Sequence, residues 1–206
     1  MIDSGPDFRY QMLRAKVNKL DAIVFTHSHK DHVAGLDDVR AYNYRQDKAM
    51  EVYASLQTQE VLKREFSYVF SGDGYPGIPQ INLNMIDGSP FYVNGLEIIP
   101  IRTLHYKMEV FGFRIGGFTY ITDANFIAPE ELAKAKGSKA FVINALRHKE
   151  HISHYTLAEA IEISGSVGAE NSYFTHISHQ LGLHAEVDAQ LPKGMHLAYD
   201  GLTLHL

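Results

Sequence analysis

The segment His27-Ser28-His29-Lys30-Asp31-His32 places three imidazoles and one carboxylate within six residues, a donor set suited to a borderline divalent cation. Along an extended segment His27 and His29 aim the same way, and a turn into a helix brings Asp31 and His32 round. Three further candidates share one placement. His105 closes the run that starts at Leu96, Asp123 follows FTYIT, and His176 follows NSYFT. Ligands in layered α/β folds gather at the carboxyl ends of strands, so separate strand ends deliver the first cluster, His105, Asp123 and His176. A solvated polar turn does not require such residues. Chemistry assisted by a bound divalent cation is what this set could serve.

The elements that must position these groups alternate between short β-rich runs and helical stretches, the pattern of an α/β layered domain. Leu20 to Thr26 reads as a buried strand leading into the histidine cluster, and Val33 to Tyr44 as the helix after it. A short strand over Glu51–Ala54 and a helix over Ser55–Phe66 precede the turn-rich loop Ser71–Gln80. Strands are expected over Phe91–Val93, Leu96–Leu104, Val110–Ile115 and Phe118–Thr122, with Gly116-Gly117 as a hairpin turn. Pro129–Lys136 is a helix with proline near its start, and Ala140–Leu146 a buried strand. Thr156-Leu157-Ala158-Glu159 is a capping box opening a helix to about Ser164. Asn171–Thr175 is a strand and His184–Leu191 a short helix. No repeat or linker divides the chain, so residues 1–206 read as one domain.

Composition narrows the function. The 206 residues are 45% hydrophobic and 21% charged, with net charge -5 and no basic run, which disfavours a general nucleic-acid binder. There are no cysteines, which removes disulfides, thiolate zinc sites and thiol nucleophiles together. No signal-like start and no apolar run of membrane-spanning length is present, so the expectation is a cytoplasmic protein without a membrane partner. Histidine is abundant, at 12 residues, and imidazole is the commonest metal-ligating side chain.

The order H-x-H-x-D-H, His, Asp, His resembles the metallo-β-lactamase superfamily of binuclear hydrolases. The stretches IDSGPDFRYQML, YPGIPQI and THISHQLGLH are similar to its phosphoribosyl 1,2-cyclic phosphate phosphodiesterase (PhnP-like) subgroup. That resemblance implies an αββα sandwich with His27, His29 and His105 on one metal, Asp31, His32 and His176 on the other, and Asp123 bridging. It implies that Asp3, in Ile2-Asp3-Ser4-Gly5, supports the metal loop. Two cations ~3.5–4 Å apart can share a hydroxide and absorb charge developing on a phosphoryl group. Zinc or manganese suits a nitrogen and oxygen ligand set, with ferrous iron also compatible. The absence of cysteine disfavours the antibiotic-hydrolysing members, and His29 stands where redox diiron members usually carry glutamate.

A departing alkoxide needs a proton. His154, just before the Thr156 cap, is the first candidate to supply it, with His151 next and His148 close by; the analogous superfamily histidine protonates the leaving group or contacts the phosphate. Asp31 is expected to orient the water as well as to bind metal. His151 and His179 are candidate substrate contacts. Arg147 is a candidate partner for an anionic substrate, against the simpler reading of a surface arginine. The loop containing Asp73, Tyr75 and Pro76 is a candidate pocket wall. His184, His196 and His205 lack a partner pattern and read as structural.

One departure concerns the start of the chain. The family's domain normally has strands ahead of the IDSGP segment, so the first sheet is expected to lack its N-terminal strands, with a homodimer as one way to cover the exposed edge. The leading function is a phosphodiesterase acting on a small cyclic phosphate or nucleotide-like ester. The alternatives are a tRNA 3′-processing nuclease (for which no basic arm is seen), a lactonase, a thioesterase and a non-catalytic metal-bound scaffold.

Overall fold

The β-branched and aromatic runs form two sheets, one in each of the two compact units into which the chain divides, Met1–Ser89 and Pro90–Leu206. The structure is a computed structural model and describes residues 1–72 and 76–206.

In the first unit, strands β1 (Ala22–Val24), β2 (Met50–Ala54) and β3 (Ile81–Met85) pair in that order, all parallel. Residues 1–3 run beside β1: Ile2 bridges Val24 in parallel, and Met1 and Asp3 exchange backbone hydrogen bonds with Val24. The short helix α1 (Phe8–Arg14) follows and buries only Phe8. Phe8, Ile23, Phe25, Val33, Leu36, Val52 and Leu62 make the core, each large apolar side chain contributing about 1.5–3 kcal/mol by leaving water.

The helix expected over Val33–Tyr44 is broken into α2 (Lys30–Val33), a 3₁₀ turn (Leu36–Val39) and α3 (Arg40–Gln46). The interruption has a tertiary cause. The His32 carbonyl accepts from the Ser4 amide at 2.7 Å, and the Gly35 amide donates to the Ser4 carbonyl at 2.8 Å. Backbone groups that a continuous helix would use internally are thereby spent on the Asp3-Ser4-Gly5 segment. Contact is so close that a Cβ on Gly35 would lie 2.4 Å from the Gly5 carbonyl oxygen and 2.5 Å from Phe8 Cβ. Helix α4 (Leu56–Glu65) begins as expected: Ser55 caps it, accepting from the Thr58 amide. A one-turn helix α5 (Ser67–Phe70) follows.

The second unit holds a seven-stranded sheet in the order β10-β9-β8-β7-β6-β5-β4. Its strands are β4 (Phe91–Val93), β5 (Leu96–His105), β6 (Met108–Ile115), β7 (Phe118–Tyr120), β8 (Ala140–Asn144), β9 (Asn171–Thr175) and β10 (Met195–Leu197). Strands β4 to β7 are antiparallel neighbours, while β7 to β10 pair in parallel. Since β6 opposes both β5 and β7, strands β5, β7, β8 and β9 all run one way. Their carboxyl ends therefore lie at one end of the sheet. β8 is buried throughout, as expected of a strand inside a parallel region, and Ile101, Ile121, Phe141, Ile143 and Phe174 anchor the core.

Helix α6 (Pro129–Leu132) starts with its proline and passes into a 3₁₀ turn at Ala133–Ala135. Helix α7 (Leu157–Val167) carries the complete capping box of Thr156 and Glu159 and ends at Gly168, whose φ of 66° suits a left-handed cap. The short α8 (His184–Asp188) lies ahead of β10.

Candidate metal centre

In the first unit the histidine cluster emerges from the end of β1. His27 and His32 are buried, and their ring centroids are 4.1 Å apart; those of His27 and His29 are 4.6 Å apart. Asp31 is exposed, with an oxygen 3.5 Å from His32 Nε2. Asp3 organises the loop from beneath. Its carboxylate accepts from the Thr26 amide at 2.8 Å, the Thr26 hydroxyl at 2.9 Å and His32 Nδ1 at 2.8 Å. Because the single Thr26 hydroxyl proton goes to Asp3, its oxygen accepts from His27 Nδ1 at 3.0 Å. Both rings thus carry their proton on Nδ1 and their lone pair on Nε2. Burial raises the Asp3 carboxyl above its ordinary range, and its hydrogen bond with His32 works the other way.

In the second unit the ends of β5, β7, β8 and β9 deliver His105, Asp123, the segment 147–154 and His176. Asp123 and His176 both adopt positive φ, 55° each, an uncommon conformation for such residues that clusters at functional sites. His176 Nδ1 lies 2.9 Å from Asp123 Oδ1, which also accepts from the Thr122 hydroxyl at 2.8 Å. The turn after Asp123 is locked by Asn144, whose side chain accepts from the Ala124 amide and donates to the Ala124 carbonyl. His105 Nδ1 donates to the Ser153 carbonyl at 2.9 Å, so this imidazole too presents its lone pair on Nε2.

Each of those three imidazoles is set up as a metal ligand would be. A ligating histidine characteristically gives its other ring proton to a carboxylate, hydroxyl or carbonyl, which fixes tautomer and orientation. His27, His32 and His105 each do so, and Asp123 adds a buried carboxylate.

Of the three candidate proton donors, His154 is the one whose ring lies against both His105 and His176. Its ring stacks on His176 at 4.6 Å and lies 4.7 Å from His105 and 5.0 Å from His151. Its Nδ1 is buried and has no hydrogen-bond partner among the described residues. Burial, helped by the neighbouring His176, pushes His154 down to about 4. His151 accepts from the Ser153 amide through Nδ1, and burial followed by the Arg147 cation holds it below the usual histidine range. His148 turns away and donates to the Leu181 carbonyl at 3.1 Å. His179 is exposed, and none of the described contacts ties it to the cluster. Asp73 and Tyr75 lie outside the described residues; Ile78 and Pro79 of the same loop border a cavity of about 320 Å³ with Asp37, Arg40 and Tyr68.

Thr26, Ser153 and Asn144 escape the sequence reading. Each is a common residue type that gains its role only from the fold. The sole local signal is the position of Thr26 immediately ahead of His27.

Residues 1–177 match the beta-lactamase superfamily domain. The crystal structure of a diphosphatase from the PhnP family superposes with a TM-score of 0.92 at 38% identity, covering 100% of this chain and 79% of that one. An octanoyltransferase of Porphyromonas gingivalis is 39% identical over 98% of this chain but only 41% of its own length. A ribonuclease Z of Macrococcus caseolyticus is 29% identical over 56% of this chain and 38% of its own length. The chain thus spans less than half of these two curated relatives. The fold matches the metallo-β-lactamase architecture implied by the sequence.

Proposed function

The chain belongs to the beta-lactamase superfamily and, within it, to the PhnP family, and on that premise we propose that it is a metal-dependent phosphodiesterase for a small cyclic phosphate or nucleotide-like diester. In this reading residues 1–206 work as one hydrolase domain that takes two divalent cations. His27, His29 and His105 would hold one, and Asp31, His32 and His176 the other, with Asp123 shared. Zinc or manganese suits these donors, and ferrous iron is compatible with them. When bound, such cations acidify water and neutralise phosphoryl charge. The observation that carries the proposal is the commitment of three ring Nδ1 atoms, those of His27, His32 and His105, to protein oxygens.

The remaining roles fall to the chain's own groups. Asp31, exposed beside His32, orients the attacking water. His154 gives the proton that the departing alkoxide needs. Burial favours its neutral form, so the ring must take up a proton before it can give one, and an anionic phosphoryl group beside it works in that direction. His151 and His179 are the proposed phosphate contacts. Among the described residues no helix is long and apolar enough to cross a membrane, which is consistent with the cytoplasmic placement we propose. Exposed Leu13 and Tyr44 line one cleft of the first unit with Phe8 and Met12, the apolar surface that the proposed homodimer would cover.

The PhnP-family neighbour is a diphosphatase, which favours hydrolysis of a phosphoanhydride as the second reading. A panel on metal-reconstituted protein tests both: bis(p-nitrophenyl) phosphate, a cyclic ribose phosphate, a diphosphate ester, a precursor tRNA, a lactone and a thioester. Turnover of the small diesters supports the proposal, and selective turnover of the diphosphate ester supports the second reading. Turnover confined to the tRNA, lactone or thioester overturns both, as does a metal-loaded protein that hydrolyses none.

A further inference from the structure

The segment 147–154 leaves the end of β8 and returns to α7 as a closed loop. The Leu146 amide donates to the Tyr155 carbonyl at 3.0 Å across its neck, and the Leu157 amide donates to the Arg147 carbonyl at 3.1 Å. At that neck the Arg147 guanidinium makes three hydrogen bonds. Nε donates to the Lys149 carbonyl at 3.1 Å, Nη2 to the Glu150 carbonyl at 2.8 Å, and Nη1 to the Gln180 side-chain oxygen at 2.8 Å. Two of these bonds set the curvature of the loop that carries His151 and His154. The third reaches the segment that begins at His176, which is also held by the Ser178 amide donating to the Leu146 carbonyl at 3.0 Å.

We infer that Arg147 is a positioning residue: it braces the His154 loop against the His176 segment and so sets the His154–His176 ring stack. Its guanidinium gives three of its five N–H groups to the protein, one from each nitrogen, which ties it to the scaffold. The planar fork explains the residue type. Three donors in fixed directions reach two backbone carbonyls and a side chain at once, which the single ammonium of lysine cannot reproduce. His154 lies seven positions along the chain, where a small change of loop curvature becomes a displacement of its ring relative to His176. A misplacement on the order of 1 Å costs about 100-fold in rate where geometry limits the reaction.

This inference rests on the proposed role of His154 as proton donor, and its test separates the two. Arg147→Met and Arg147→Lys proteins, reconstituted with the same metal as wild type, would be compared by metal content, amide hydrogen exchange over residues 148–154, and steady-state kinetics. Two diesters would be used, one with an alkyl and one with a nitrophenyl leaving group. For Arg147→Met the expected result is unchanged metal content, faster exchange in the loop, and kcat on the alkyl diester reduced about 10- to 100-fold with KM little altered. The nitrophenyl diester, whose leaving group needs no proton, should lose far less, and Arg147→Lys should recover part of the difference. Equal losses on both substrates, loss of metal, or unchanged loop exchange would overturn the brace. Should wild type hydrolyse neither diester, the phosphodiesterase reading fails alone. Loop exchange then still decides: acceleration in Arg147→Met supports the brace and its absence overturns it.

Discussion

Asp3 Oδ2 and His32 Nδ1 stand 2.8 Å apart, both side chains buried. The same carboxylate takes the Thr26 hydroxyl proton, which obliges Thr26 to accept from His27. One carboxylate therefore fixes the tautomers of two candidate ligands. Replacing Asp3 with alanine should weaken divalent-metal affinity about 10- to 100-fold, measured by competition with a chromophoric chelator. Unchanged affinity would show that the imidazoles are oriented without it.

The Asp3-Ser4-Gly5 segment also meets Gly35 at a distance that leaves no room for a side chain. A Cβ there would lie 2.4 Å from the Gly5 carbonyl oxygen, backbone that cannot move without disturbing the Ser4 hydrogen bonds. Gly35→Ala should destabilise the first unit by about 1–3 kcal/mol, read as a lower denaturation midpoint. A midpoint equal to wild type would mean that the two backbone segments separate freely.

These two contacts mark where the sequence was legible and where it was not. His27 to His32, His105, Asp123 and His176 stand out because their types are unusual at strand ends; in the structure His27, His105, Asp123 and His176 lie at or just beyond the ends of β1, β5, β7 and β9, while Asp31 and His32 fall in α2. The break at Gly35 was invisible because it arises from hydrogen bonds to Ser4, 31 positions earlier, while the local pattern from Val33 to Tyr44 is helical. Strand β3 was missed because its sequence, INLNM, alternates with asparagines of low β propensity. Its pairing with β2 supplies what local preference lacks. Helix α1 buries a single side chain and has no side-chain cap, so it left no periodic signal.

The capped start of α7 can be tested through stability. Thr156 caps the Glu159 amide, and Glu159 returns to the Thr156 amide at 2.8 Å. Thr156→Ala should cost about 1 kcal/mol, seen as a reduced free energy of unfolding in denaturant. A cost near zero would show that the loop ahead of the helix holds it unaided.

A pH prediction concerns Tyr68 in the first unit. Its hydroxyl donates to the Asp37 carboxylate. Burial and that hydrogen bond push the phenol up to about 12. An unfolded tyrosine titrates near 10, so the raised value means that the folded state resists ionisation. This contribution is complete below about pH 10 and is lost as pH rises toward 12. Wild type should lose stability more steeply than Tyr68→Phe over that window, with ultraviolet titration showing equal tyrosinate in the two proteins near pH 11 although wild type has one tyrosine more. Parallel stability profiles would contradict the linkage.

The central proposal is that the chain would hold two divalent ions with Asp123 shared. Metal content per chain tests it most directly, measured by inductively coupled plasma mass spectrometry on wild-type and Asp123→Ala proteins after loading with zinc or manganese and removal of excess. The account predicts two ions per chain in wild type and fewer than two in the variant. Two ions in both proteins, or at most one in wild type, would contradict it.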